Sequence, residues 1–206
     1  MSGEGGRELE VKAVADDAEA LGRRLGAGGA IPGFRGRMSD RRYDLAGGAL
    51  TARDEVLRVR TFMPAAGSAG RPAEVAWKGP TRRHEGYKSR EEHQFEVADA
   101  GAVESILSRL GFVPADAVDR CVEFFGLCGA VVRIEWYPRM DVLVEVEGEP
   151  GAIELAVRAT GLPRAQFRSD RLLDFAERYR ARTGTAPALS LAALGGERPA
   201  WPPWAP

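Results

Sequence analysis

The sequence predicts an α+β fold: an antiparallel sheet of about eight strands, curled into a closed or nearly closed barrel, with helices packed on its outside. Three observations predict it. The strand-like segments are apolar on one face and ionic on the other, since alternate side chains point to opposite sides of a strand. The ionic face carries ions rather than Ser, Thr or Gln: Glu8, Glu10, Lys12, Arg58, Arg60, Lys78, Lys88, Arg90, Glu92, Arg133, Glu135, Glu145 and Glu147. Four helix-like segments each bring an apolar stripe that needs an apolar sheet surface. An ionic strand face is ordinarily the wet side of a sheet. With helices covering the outside, it turns inward and lines a bore wide enough for a small ligand.

The first strand is Glu8-Leu9-Glu10-Val11-Lys12, with Glu8, Glu10 and Lys12 on one face. Alternate residues lie roughly 7 Å apart at ~3.3 Å rise per residue. Asp16 or Asp17 caps a helix to about Leu25, and Gly26 ends it. Residues 27–37 read as a Gly-rich loop, residues 40–45 (DRRYDL) as a short strand, and residues 46–49 as a turn. Residues 55–62 alternate, Leu57 and Val59 against Arg58 and Arg60. Residues 64–72 read as a hairpin connection, 74–78 as a strand and 81–87 as a further loop. Residues 88–97 form a strand with Lys88, Arg90, Glu92, Gln94 and Glu96 on one face. Asp99 caps a second helix, stopped by Gly111. Residues 118–125 and 130–136 form a hairpin, and 141–147 the last strand. A third helix covers about 152–159, and a fourth starts near Ser169. Residues 14–27 and 97–112 share a strand end, a capping Asp, a helix and an Arg-Leu-Gly, a weak internal repeat.

The 206 residues suffice for one sizeable domain, and 44% hydrophobic content supports a packed core. With 29 basic and 30 acidic side chains, the chain lacks the basic excess of a general nucleic-acid binder. No apolar run approaches the ~20 residues of a membrane span, so neither nucleic acid nor membrane is an expected partner. The Gly-rich N-terminus lacks the apolar stretch of a signal peptide, and Cys121 and Cys128 read as free thiols, which together give a cytoplasmic expectation. A structural zinc site does not fit two cysteines and two histidines, His84 and His93, that read as surface or loop residues. Residues 1–182 read as a single domain. Residues 183–206, rich in Ala, Gly and Pro and ending WPPWAP, read as a poorly ordered tail in which Trp201 and Trp204 could dock.

Charges withdrawn from water need partners. Lys12, Arg58, Arg60, Lys78, Lys88 and Arg90 suit phosphate oxygens, with Arg binding bidentately and Lys as a point charge. Glu8, Glu10, Glu145 and Glu147 suit Mg²⁺ or Mn²⁺, hard cations that prefer carboxylate oxygen. Together they describe a metal–polyphosphate complex.

At these residues the sequence resembles the CYTH family, the triphosphate tunnel metalloenzymes, from Glu8 to about Glu149. The matching stretches are Glu8-x-Glu10-x-Lys12, residues 57–60 (LRVR), 77–80 (WKGP), 88–92 (KSREE) and 144–148 (VEVEG). The run from WKGP through KSREE to Arg-Leu-Gly-Phe is most similar to the class IV adenylyl cyclase branch. The family also holds thiamine triphosphatases and inorganic triphosphatases. The resemblance implies that Glu8, Glu10, Glu145 and Glu147 hold one or two divalent cations. It implies that Lys12, Arg58, Arg60, Lys78 and Arg90 grip the triphosphate, with Lys88 a further phosphate candidate. Arg120 and Arg133 stand where the family has further basic residues. Glu135 stands where many members carry a metal-binding Asp, Val118 where many have a second basic residue, and Gln94 where Glu is frequent. The implied catalytic set is Glu8, Glu10 and Lys12, and the implied partner is a nucleotide or another triphosphate, with a homodimer as one assembly.

Such a tunnel serves two reactions. Attack of a ribose 3′-hydroxyl on the α-phosphorus of ATP gives cyclic AMP and pyrophosphate. Attack of water on the γ-phosphorus gives a diphosphate and phosphate. Positioning and charge stabilisation dominate both. A non-catalytic binder of nucleotide or polyphosphate is a third reading, and a solvated charged sheet a fourth.

Overall fold

The structure, a computed structural model, describes residues 6–206, with side chains from Leu9 onward. In chain order the elements are β1 (Gly6–Val14), α1 (Ala18–Ala27), β2 (Ile31–Leu45), α2 (Ala49–Ala52), β3 (Val56–Pro64), β4 (Ala73–Lys78), β5 (Arg82–His84), β6 (Tyr87–Val97), α3 (Ala100–Arg109), β7 (Phe112–Leu127), β8 (Ala130–Trp136), β9 (Leu143–Glu147), α4 (Pro150–Thr160) and α5 (Leu172–Thr183). The sheet runs β1-β9-β8-β7-β2-β3-β4-β6, and β1 pairs with β6 to close it. Every ladder is antiparallel, and β5 is an extra strand on β6. Closure leaves, among the described residues, no long exposed edge for another chain to pair with.

The caps expected from the sequence hold the two helices of the repeat. Asp17 accepts from the Ala20 amide at 2.8 Å, and Asp99 from the Ala102 amide at 3.0 Å. Each carboxylate satisfies an amide that the helix itself cannot.

Apolar strand faces point outward under the helices. Val11, Ala13, Val132, Ile134, Val144 and Val146 bury against Leu21 and Leu25 of α1 and Ile153, Ala156 and Val157 of α4. Leu107 of α3 covers Tyr43, Val59 and Val75. Phe175 and Ala176 of α5 pack instead on Val118, Tyr137 and Leu143, which share strand faces with Arg120, Glu135 and Glu145, so α5 covers part of the bore side. The inside-out arrangement therefore follows from the apolar faces needing helices.

One end of the bore is apolar. Phe34 and Met38 lie on the buried face of β2 that also carries Asp40, and they pack with Phe62, Val122 and Phe124. Phe34 meets Phe62 and Phe124 edge-on, with ring centroids 5.2 and 5.9 Å apart. Gly36 makes room for this plug, since a Cβ there would stand 2.3 Å from the Met63 carbonyl oxygen and 2.7 Å from the Phe34 ring.

The structure corrects several segment readings. Much of residues 27–37 is strand, because β2 runs on from residue 31 and pairs with β7 along nearly its whole length despite Pro32 and Gly33. Proline is tolerated here because the ladder is irregular between Pro32 and Arg35. Residues 82–84 within the expected loop pair with β6. The short α2 was not expected; Asp44 nucleates it by accepting from the Leu50 and Thr51 amides at 2.8 and 2.9 Å. The segment after residue 183 has the contacts of packed chain rather than of a loose tail. Ala188 pairs with Arg139, the Asp119 amide donates to the Leu189 carbonyl at 2.8 Å, and Trp204 meets Trp136 edge-on at 5.4 Å.

Candidate active site: a two-signed bore

The barrel encloses a cavity of about 950 Å³, lined from β1, β2, β3, β4, β6, β7, β8 and β9. The expected residues Glu10, Lys12, Arg58, Arg60, Lys78, Lys88, Arg90, Arg120, Arg133, Glu135, Glu145 and Glu147 all line it. Glu8 pairs by its backbone with Arg90, and its side chain lies outside the described residues.

On the β1–β9 side, register sets the chemistry. Glu10 is opposite Glu147, and Lys12 is opposite Glu145. Arg133 of β8 is opposite Glu145 in the next ladder. Lys12 contacts both Glu10 and Glu145, and Arg133 contacts Glu145. Lys88 donates to Glu10 at 2.6 Å, and Arg133 to Glu147 at 2.7 Å. The result is an alternating string: Lys88, Glu10, Lys12, Glu145, Arg133, Glu147. Burial pushes the Glu10 carboxyl up, but Lys12, Lys88 and Lys78 together hold it well below the usual carboxylate range.

The β4–β6 side carries a smaller group. Lys78 lies 3.1 Å from Glu92, and Arg58 lies 3.7 Å from the same carboxylate and donates to Gln94 at 3.1 Å. Arg90 donates to the Gly79 carbonyl at 2.6 Å and also contacts the Asp54 carbonyl, tying the barrel rim to the α2 corner.

The third group, on β2, β3, β7 and β8, is the least exposed. Arg60 makes a two-point contact with Asp40, Nε to Oδ1 at 2.6 Å and Nη2 to Oδ2 at 3.0 Å. Arg120 reaches the same carboxylate at 3.1 Å and Glu135 at 3.0 Å. The other Glu135 oxygen accepts from the Tyr137 hydroxyl at 2.6 Å. Burial raises the Glu135 carboxyl, but Arg120, Arg133 and Lys12 leave it below the usual range. Burial and the Glu135 charge push the Tyr137 hydroxyl well up, so it stays protonated and donates.

Asp40, Glu74 and Tyr137 were missed by sequence reasoning. Asp40 shares strand parity with Arg42, and Glu74 with Lys78, so alternation within their strands was the available signal. Tyr137 follows β8, where no period applies. The chain has a second, more open cleft of about 790 Å³, lined by Thr81, Arg83, Asp170 and Arg178 among others, which shares Asp54 and Arg171 with the bore. Cys121 is buried and Cys128 exposed, both free. Among the described residues no helix is long and apolar enough to cross a membrane.

Glu10, Glu145 and Glu147 offer only carboxylate oxygens, from two adjacent strands, and two of them oppose each other directly. That chemistry fits Mg²⁺ or Mn²⁺. As they stand, these carboxylates accept from Lys12, Lys88 and Arg133, and among the described residues no three acidic, His or Cys side chains form a metal-binding group. Both Glu135 oxygens are taken by Arg120 and Tyr137.

A closed antiparallel barrel with an ion-lined bore and helices outside is the tunnel fold that the CYTH resemblance implied. Solved structures share it. A Vibrio parahaemolyticus protein described as a "putative adenylate cyclase" superposes with a TM-score of 0.68 at 14% identity, over 84% of this chain and 99% of that one. HpAC1 from Hippeastrum, described as having a dominant triphosphatase activity, gives 0.57 at 16% identity, over 89% and 98%. A chain of the Schizosaccharomyces pombe Mediator head module gives 0.54 at 12% identity, over 76% and 90%. No protein-family model and no curated protein matches the sequence.

Proposed function

We propose that the protein is a divalent-metal-dependent enzyme acting on a triphosphate inside the barrel, with ATP cyclisation to cyclic AMP and pyrophosphate as its reaction. The observation that carries this reading is the convergence of both charge sets in one bore of about 950 Å³. Lys12, Lys78, Lys88, Arg58 and Arg133 line one cavity with Glu10, Glu145 and Glu147. A polyanion of several phosphates, bound with its cation, matches both signs at once.

Lys12, Lys88 and Arg133 would turn from their carboxylates to phosphate oxygens, stabilising the charge that develops there. Glu10, Glu145 and Glu147, relieved of those partners, would hold Mg²⁺ or Mn²⁺. The metal would neutralise phosphate oxygens and polarise the phosphoryl group. Glu135 sits in this reading between the Arg120 guanidinium and the Tyr137 hydroxyl, and a metal would reach it only beside those two partners. The protein otherwise acts by holding the chain of phosphates in line.

Hydrolysis is the second reading, favoured by the triphosphatase activity named for HpAC1, which has the same fold. Incubation with ATP, GTP, thiamine triphosphate and tripolyphosphate, plus Mg²⁺ or Mn²⁺, with products identified by mass, decides. Cyclic AMP supports the first reading, and phosphate with a diphosphate the second. Tight tripolyphosphate binding without product makes the chain a binding module, and neither binding nor turnover by folded protein overturns the proposal.

A further inference from the structure

We infer that Asp40 is a positioning residue of the bore: one buried carboxylate that fixes Arg60 and Arg120 as a preorganised guanidinium pair facing the ligand. The inference rests on the functional reading above for what the pair is aimed at. None of the motifs that carry the family resemblance includes Asp40.

The geometry is specific. Asp40 lies on β2 between the two strands that supply the arginines, opposite Arg60 in the β3 ladder and opposite Val118 in the β7 ladder. Its side chain is 3% exposed. Arg60 uses both oxygens, at 2.6 and 3.0 Å, and Arg120 brings two terminal nitrogens to Oδ2 at 3.1 Å each. Arg58 lies just outside, at 3.9 Å. Of the four hydrogen bonds, one falls on Oδ1 and three converge on Oδ2.

Each arginine is also held from a second direction. Glu74 lies 3.7 Å from Arg60, and Glu135 accepts from Arg120 at 3.0 Å. Lys12 and Lys88 differ: their partners Glu10 and Glu145 are the carboxylates proposed for the metal. The bore thus has a fixed cationic wall on β3 and β7 and an exchangeable one on β1 and β6. An unanchored arginine loses rotamer freedom when it grips a ligand. Asp40 removes that loss beforehand, so the fixed wall sets where the phosphates lie while the other rearranges.

The test is Asp40→Asn, which keeps shape and removes charge. Arginine Nε–H resonances, assigned through Arg60→Lys and Arg120→Lys, report whether each guanidinium is held. Titration with tripolyphosphate reports what the holding does. The expected result is slow solvent exchange of both Nε–H groups in wild type, fast exchange in Asp40→Asn, and affinity weakened roughly tenfold or more, the scale of two newly mobile side chains. Unchanged exchange in Asp40→Asn overturns the inference, as does released arginines with unchanged affinity. If Asp40→Asn does not fold, Asp40→Asn/Arg60→Gln restores charge balance and is compared with Arg60→Gln alone. Weaker binding by the double variant supports the anchor, and equal binding overturns it. Wild-type protein that binds no tripolyphosphate sinks the functional reading and the ligand role of Asp40 together. Wild-type binding of tripolyphosphate that the Asp40 variants leave unchanged sinks only the inference.

Discussion

Glu10 and Glu147 stand directly opposite each other in the β1–β9 ladder, two carboxylates on a face that lines the bore. Like charges at opposed positions destabilise a sheet. Lys12, Lys88 and Arg133 offset this in the protein as it stands, and a divalent cation would do so more directly. Removing one carboxylate therefore separates stability from function. Glu147→Gln is expected to raise stability by up to about 1 kcal/mol. It is expected to lower metal-dependent turnover by at least the ~10–100-fold that loss of a supporting partner of a metal ligand costs. Urea unfolding and a metal titration of activity check the two halves.

Lys12 is the opposite case. It bridges Glu10 and Glu145, and all three side chains are nearly buried. Removing one partner of a buried ion pair leaves an uncompensated charge, at about 3–5 kcal/mol. Lys12→Met is expected to cost toward the lower end of that range, because Lys88 and Arg133 still serve the two carboxylates. Denaturant unfolding measures it. A loss below about 1 kcal/mol would mean that the string of ion pairs re-forms without its centre.

Acid should unfold the protein through its bore. Burial raises the Asp40 carboxyl, yet Arg60, Arg120 and Arg58 hold it well below the usual range; Glu10 and Glu135 are also lowered. A carboxylate with a depressed folded pKa contributes stability that is fully present above the unfolded value of ~4 and is lost as pH falls through the folded value. Stability is therefore expected to fall steeply below about pH 4. In Asp40→Asn the fall should be shallower. Urea midpoints between pH 3 and pH 7 give the slope directly.

Gly36 tests the apolar plug. Gly36→Ala places a methyl against the Met63 carbonyl and the Phe34 ring. The ring can move, but the backbone oxygen belongs to the β2–β3 ladder. Overpacking of this kind costs about 1–3 kcal/mol. The expected signature is lower thermal stability with a smaller loss of tripolyphosphate affinity, transmitted through Arg133, which lies 5.7 Å from the centroid of the Phe124 ring.

Much of the bore was legible in the sequence because strand alternation is local. Residues two apart share a face whatever the fold, so Glu10 with Lys12, Arg58 with Arg60 and Glu145 with Glu147 could be grouped from the chain alone. The helices, with their Asp caps and apolar stripes, implied that the opposite faces were covered. What alternation cannot give is register between strands. That Lys12 meets Glu145, and that Arg120 meets Asp40 and Glu135, were decided by pairing between strands distant in sequence. The same holds for residues 31–37, whose Pro and Gly discourage strand until β7 supplies partners for their backbone. The sequence determined which side chains face inward, because that depends on a two-residue period. Only the tertiary structure decided which charges neutralise each other, because an ion pair depends on distance in space rather than along the chain.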